Sequence, residues 1–409
     1  MILTNRWAVL ALLFLARACV AIQFLSVPSI APFLIAEMTL SYAQLGLLIG
    51  LFMLPGSFFA LPGGLLGQRF GGKTVVLTGL GLMTLGALLF ANSLTFGYAF
   101  AIAAAGRLLS GVGGVFVNVQ LAKIVTDWFS GRELATAMGL QLSGWPFGLA
   151  VALASLGGFA VMTSWQTAVY LTAALSAIAW VLLMALYRDL PFRDGAIPAP
   201  DRRPPVWALP GRSLGLMTAA GMIWMVWNVG FVVFVSFAPL MLIAGGRTIA
   251  EAGFLVSLVF WVSLGSVPLG GFLIDRTGRA NLLISGAILG SAAIIFLLPF
   301  GQWVVTLVVL MGLIRGPCAG GVNALPGEVL TPENRSAGFG VYFTVYYIGV
   351  ALLSPVAGYL QDVSGTAVAP VLFAGFSTAS TAVALLAFRL LQRRWAVVDD
   401  PTAETATDS

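Results

Sequence analysis

Three arginines, Arg17, Arg107 and Arg315, lie deep in long apolar stretches, and no aspartate or glutamate lies at comparable depth. A guanidinium offers a planar fork of N–H donors suited to carboxylate, nitrate-like or phosphate oxygens. A charge held inside a membrane span is costly and marks function, so buried positives without a buried negative point to a site for an anion. Each arginine also has a plainer reading, in which it packs against backbone carbonyls or snorkels to an interface. Aromatic residues accompany them: Trp145 beside Pro146, Trp224 and Trp227 beside Asn228, and Tyr342 and Tyr346, which are four apart and share a helix face. Further amides, Asn118, Gln120, Gln141 and Asn323, sit in the same kind of apolar stretch, where an unpaired amide is expensive. The chain has no histidine, which excludes histidine metal sites, bases and proton relays. No cofactor or metal is expected, and no acid–base pair in the apolar stretches points to an enzyme.

The elements that must position these arginines are membrane helices. Of 409 residues, 59% are hydrophobic and 9% charged, and the mean hydropathy is +1.00, whereas a soluble domain carries about 25% charged residues. Twelve apolar segments can be drawn, near 7–35, 43–67, 73–92, 97–124, 133–158, 165–187, 213–242, 250–274, 280–299, 303–327, 336–360 and 367–390. The resulting domains are a six-helix bundle over 1–187, a linker over 188–212, a second bundle over 213–392 and a tail over 393–409. With this count every basic residue outside the segments except Arg247 falls at one face. The positive-inside rule makes that face cytoplasmic, with both termini on it. The net charge of +5 is therefore a topology signal, and no nucleic-acid partner is implied. The expected setting is a bacterial inner membrane, crossed many times by a monomer.

The two halves repeat. Gly64, Arg69 and Gly71 share one offset with Gly271, Arg276 and Gly278, and Arg107 and Arg315 lie near the same half-chain period. Parallel repeats of this kind build many transporters. The loop after the second segment reads Gly-Leu-Leu-Gly-Gln68-Arg69-Phe-Gly71-Gly-Lys73, and the second copy carries Asp275-Arg276-Thr-Gly278-Arg279. In these motifs the chain resembles the major facilitator superfamily along essentially its whole length. The resemblance implies an all-α membrane fold of 12 transmembrane helices in two pseudo-symmetric six-helix halves. It also implies that Gly64, Gln68, Arg69, Gly71, Gly271, Asp275, Arg276 and Gly278 belong to a conformational latch. Gln68 departs from the family's acidic residue, which weakens the first copy of that latch. Within the superfamily the chain looks most like the cyanate and nitroimidazole permease-like group and more loosely like nitrate/nitrite porters. The residues behind this are Pro28-Ser-Ile-Ala-Pro32, Leu54-Pro-Gly56 and Asp127-Trp-Phe129.

The resemblance sets spans one, four, seven and ten around a central cavity, and the three arginines occupy three of those four. The expected function is secondary active transport of a small inorganic or organic anion by alternating access. Arg17, Arg107, Arg315, Trp145, Trp224, Trp227, Asn228, Tyr342 and Tyr346 are the candidate substrate contacts. The alternative is an exporter of drug-like or amphipathic compounds with the same fold. Symport through an embedded carboxylate is disfavoured, because the acids lie at the segment ends. Pro317, following Arg315 and Gly316, is expected to distort the backbone beside that arginine.

Overall fold

The computed structural model describes residues 5–95, 97–129, 133–189, 210–330 and 335–398. Most of the expected linker, the end of the tail, Arg132 and Glu333 lie outside them. Among the described residues, fifteen α-helices form 12 membrane-crossing spans. Span one is α1 (Arg6–Ser29), continued by α2 (Ala31–Glu37). Span two is α3 (Tyr42–Met53) with α4 (Gly56–Phe70), and spans three to six are α5 (Gly72–Ala91), α6 (Ala99–Phe129), α7 (Leu134–Met162) and α8 (Trp165–Leu186). Spans seven to nine are α9 (Gly211–Ala244), α10 (Ile249–Thr277) and α11 (Ala280–Leu297). Span ten is α12 (Val304–Ile314) with α13 (Gly316–Ala324), and α14 (Arg335–Ser364) and α15 (Val368–Val398) complete the second half.

Prolines set the breaks. Proline lacks an N–H and collides with the carbonyl four residues back, so the second span divides at Pro55 and the tenth at Arg315, immediately before Gly316 and Pro317. The break expected beside Arg315 is therefore present. The repeat-related glycines Gly71 (φ 85°, ψ 153°) and Gly278 (φ 64°, ψ 7°) both take positive φ, which favours glycine, although their ψ values differ.

The halves meet at the face away from the basic loops. Glycines let backbones approach there, Gly46 against the Ser354 carbonyl and Gly358 against that of Tyr42, so spans two and eleven touch without side chains between them. Gly253 does the same against the Leu153 carbonyl between spans eight and five. A polar bridge joins the halves: both Asp362 carboxylate oxygens accept bonds, from the Tyr42 and Ala43 N–H groups, each at 2.9 Å. These are orphan donors of the first turn of α3, where a carboxylate also meets the positive end of the helix dipole. At the basic face, among the described residues, hydrogen bonds and ion pairs stay within one half: Arg6 with Glu133 at 2.7 Å, and Arg389 with Glu328. The halves are thus held together at the face away from the basic loops.

Candidate functional site

The three arginines fall into two different situations. Arg107 is 2% exposed and fully engaged inside the first half. Its Nη2 donates to the Phe24 carbonyl at 3.0 Å, Nη1 to the Gln23 carbonyl at 2.7 Å and to Ser26 Oγ at 3.4 Å, and Nε to the Leu48 carbonyl at 3.1 Å. Its guanidinium also lies 4.7 Å from the centre of the Phe52 ring. The cause is local. Pro28 has no N–H to give the carbonyl four residues earlier, which is that of Phe24, and the membrane interior supplies no water to replace it. Arg107 fills that vacancy and ties span four to spans one and two.

Arg315 is placed at the junction of α12 and α13. It is 9% exposed, and its Nη1 is buried without a hydrogen-bond partner. Its guanidinium lies over Phe231, 3.1 Å from the ring centre, and 5.4 Å from that of Trp227. Aromatic faces hold a cation but accept no directional N–H bond of normal strength, so the guanidinium keeps unused donor capacity. Arg17 shares this condition. Its Nη1 donates to Asn118 Oδ1 at 3.3 Å, it lies 6.0 Å from the Trp145 ring, and its Nε is buried and unpartnered. Trp227 Nε1 is a third buried donor without a partner.

Two adjacent tyrosines of span eleven lie in the electrostatic surroundings of Arg315 and Arg17. Tyr346 and Tyr347 have ring centres 4.8 Å apart; the first lies in electrostatic range of Arg315 and the second of Arg17. Arg17 belongs to the first half and Tyr347 to the second, so this cluster spans the boundary between them. Trp224 extends it, 6.1 Å from Tyr346 and 6.4 Å from Tyr342. Tyr342 is buried and its hydroxyl donates to Asn323 Oδ1 at 3.4 Å. Asn228 turns back on its own helix, Nδ2 donating to the Trp224 carbonyl at 2.8 Å. Gln120 is a helix tie, to the Gly63 carbonyl at 2.7 Å, while both amide atoms of buried Gln141 lack partners. Phe231 escaped the sequence reading, although it lies one turn from Trp227 and shares its face. Tyr347 became a member of the cluster only through packing across the halves.

At the latch motifs, Arg69 lies over the Phe70 ring at 5.3 Å and Arg276 over Phe272 at 6.0 Å. Beside the first of them, Asp189 from the start of the linker accepts from the Lys73 N–H with both oxygens at 3.1 Å, capping α5. Tyr187 donates its hydroxyl to Asp189 at 2.9 Å. Burial first, and then the Asp189 carboxylate, push that phenol well above its ordinary range, so it remains a donor.

Residues 13–245 and 222–407 match the Major Facilitator Superfamily. The chain belongs to that family of membrane transporters. It is 25% identical over 294 residues to the hexuronate transporter of Bacillus subtilis (strain 168), covering 69% of this chain and 68% of that one. It is 28% identical over 246 residues to the 3-(3-hydroxy-phenyl)propionate transporter of Escherichia coli (strain K12), covering 58% and 57%. Among solved structures, a point mutant of the nucleoside transporter NupG superposes with a TM-score of 0.75 at 15% identity, over 95% of this chain and 100% of that one. A bacterial homolog of the human lysosomal transporter Spinster, in an inward-facing and unoccupied conformation, superposes at 0.71 with 16% identity, over 94% and 96%. At these identities the superpositions establish the shared fold.

Proposed function

We propose that this protein carries a small anion, an organic carboxylate before a bare inorganic ion, across the membrane by alternating access. One observation carries the reading: Arg315 Nη1 is buried and unpartnered on an aromatic wall, in a cluster that reaches Arg17 through Tyr346 and Tyr347. Leaving a buried charge uncompensated costs several kcal/mol, about 3–5 when a pair is broken. An arriving carboxylate relieves that cost, and the aromatic rings of Trp224, Trp227, Tyr342 and Tyr346 favour an organic body behind it. Hexuronate and a hydroxyphenylpropionate, named for two relatives, are both carboxylates, which supports the same class. Arg107 is assigned as a structural tether, because its donors are already taken.

The basic face is assigned to the cytoplasm by its arginines, which makes the present conformer inward-open and puts both termini inside a bacterial inner membrane. The monomer, the latch role of the Gly64–Gly71 and Gly271–Gly278 loops, and kinship with the cyanate and nitroimidazole permease-like group are part of the same reading. Binding then proceeds from the cytoplasmic side in this state. The loaded carrier closes there once the ligand neutralises Arg315 and Arg17. Release requires the Asp362 bridge to open.

Flux into proteoliposomes tests this with a panel of small carboxylates, nitrate and neutral or cationic amphipathic compounds. Arg315→Gln and Arg17→Gln are expected to lower carboxylate flux at least tenfold, while leaving the protein folded. Undiminished carboxylate flux in both variants overturns the site. Flux of neutral or cationic compounds that survives both substitutions favours the exporter reading.

A further inference from the structure

At the basic face of the second half, the start of α11 and the end of α15 flank an open surface cavity of about 430 Å³ lined by Arg279, Asn281, Arg389, Gln392 and Arg393. Arg389 is held in place. Its Nε donates to Asn281 Oδ1 at 3.0 Å and its Nη1 to Gln392 Oε1 at 2.8 Å, and its remaining capacity goes to the Glu328 carboxylate. Arg279 and Arg393 have no side-chain partner among the described residues. Three guanidinium groups thus face one carboxylate, and the cavity keeps a positive balance.

The repeat supplies a comparison within the molecule. The counterpart of the α11 start in the first half is the start of α5, where the Asp189 carboxylate accepts from the Lys73 N–H. At α11 the N-cap residue Arg279 supplies no side-chain cap, its own N–H donating to Thr277 Oγ1 at 3.4 Å, and the first-turn N–H groups carry a partial positive charge toward the cavity. Where the first half brings its own carboxylate, the second presents arginines and space.

The walls continue as a lipid-facing surface. Leu282 on α11 is 65% exposed, and on α15 Leu386 and Leu390 are 61% and 56% exposed. Leu386, Leu390 and Arg393 recur at helical spacing, so one stripe of α15 runs from apolar to basic as it leaves the membrane. A free oxyanion would use only the basic end of such a surface. A phospholipid matches both ends.

We propose that this cavity binds the phosphate headgroup of an anionic phospholipid, with an acyl chain lying along Leu282, Leu386 and Leu390. Arg279 and Arg393 contact the phosphate oxygens, Arg389 positions Asn281 and Gln392 beside them, and the first turn of α11 completes the cradle. Basic pockets between spans at the membrane surface suit anionic headgroups for this electrostatic reason. The site is separate from the central cluster, and its test does not depend on transport.

Native mass spectrometry of the full chain in detergent, with phosphatidylglycerol, phosphatidylcholine and inorganic phosphate added separately, decides the matter. Phosphatidylglycerol is expected to bind in preference to phosphatidylcholine and to resist displacement by millimolar inorganic phosphate. The Arg279→Gln/Arg393→Gln variant is expected to weaken its binding roughly tenfold or more, from the loss of two interfacial cations. Arg247→Gln, at the opposite face, is the control and leaves binding unchanged. Should the double variant fail to fold, the single variants Arg279→Gln and Arg393→Gln are each expected to weaken binding several-fold. Equal retention of phosphatidylglycerol by parent and variants overturns the proposal. So does equal binding of the two lipids, or binding of inorganic phosphate alone.

Discussion

Asp362 is the polar hinge point of the closed face, and Asp362→Asn perturbs it without changing its shape. The carboxylate accepts two backbone N–H groups at 2.9 Å each. Asparagine keeps one acceptor and turns an NH₂ toward the other donor, so one bond, the charge and its interaction with the helix dipole are lost together. A hydrogen bond to a charged group contributes about 1.5–3 kcal/mol when sheltered, and less where water and salt reach it, as they do at this exposed pair. A net loss of about 1–2 kcal/mol follows, which shifts the ratio of closed to opened face by about five- to thirtyfold. Spin labels at Thr163→Cys and Arg247→Cys, on opposite halves of that face, report the separation by double electron–electron resonance. Buried Cys19 and Cys318 are shielded from the label. The expected result is a new population at longer distance in Asp362→Asn, larger in a detergent sample at low salt than the change seen at high salt. Identical distance distributions in parent and variant would refute the assignment of Asp362 as the bridge that holds the halves together.

Two other substitutions separate structural from functional charge. Arg107→Met strands the Phe24 carbonyl and is expected to cost about 1–3 kcal/mol of stability, whereas Arg315→Met removes an uncompensated buried charge and is expected to leave stability unchanged or raised. Thermal unfolding in detergent ranks them, and a lower midpoint for Arg315→Met than for Arg107→Met would reverse both assignments. Asp189→Ala removes the cap of α5 and the acceptor of Tyr187, at an expected cost of about 1 kcal/mol. Hydrogen exchange confined to the first turn of α5 is the readout, and unchanged protection there would show that Asp189 does not cap α5.

The span count, the two halves and the repeat-related glycines Gly71 and Gly278 were legible in the chain. A hydrocarbon core of about 30 Å demands long apolar helices, and a repeat leaves its glycines in register. The placement of Arg17, Arg107 and Arg315 on apolar spans was legible for the same reason. The ranking of the arginines was not. Arg107 and Arg315 look equivalent as repeat partners, and the sign that distinguishes them, a carbonyl orphaned by Pro28, lies on another helix.

Sequence alone therefore determined that this is a twelve-span, two-half membrane protein of the Major Facilitator Superfamily with excess positive charge on its apolar spans, because membrane thickness and backbone self-satisfaction act on each segment separately. Tertiary structure decided which donors are spent and which are free. It also decided that Asp189 caps the first turn of α5 and that Asp362 bridges the halves at Tyr42 and Ala43. Each of these depends on groups far apart in the chain meeting within about 3–6 Å, the range over which hydrogen bonds and cation–π contacts act, and no local pattern encodes such meetings.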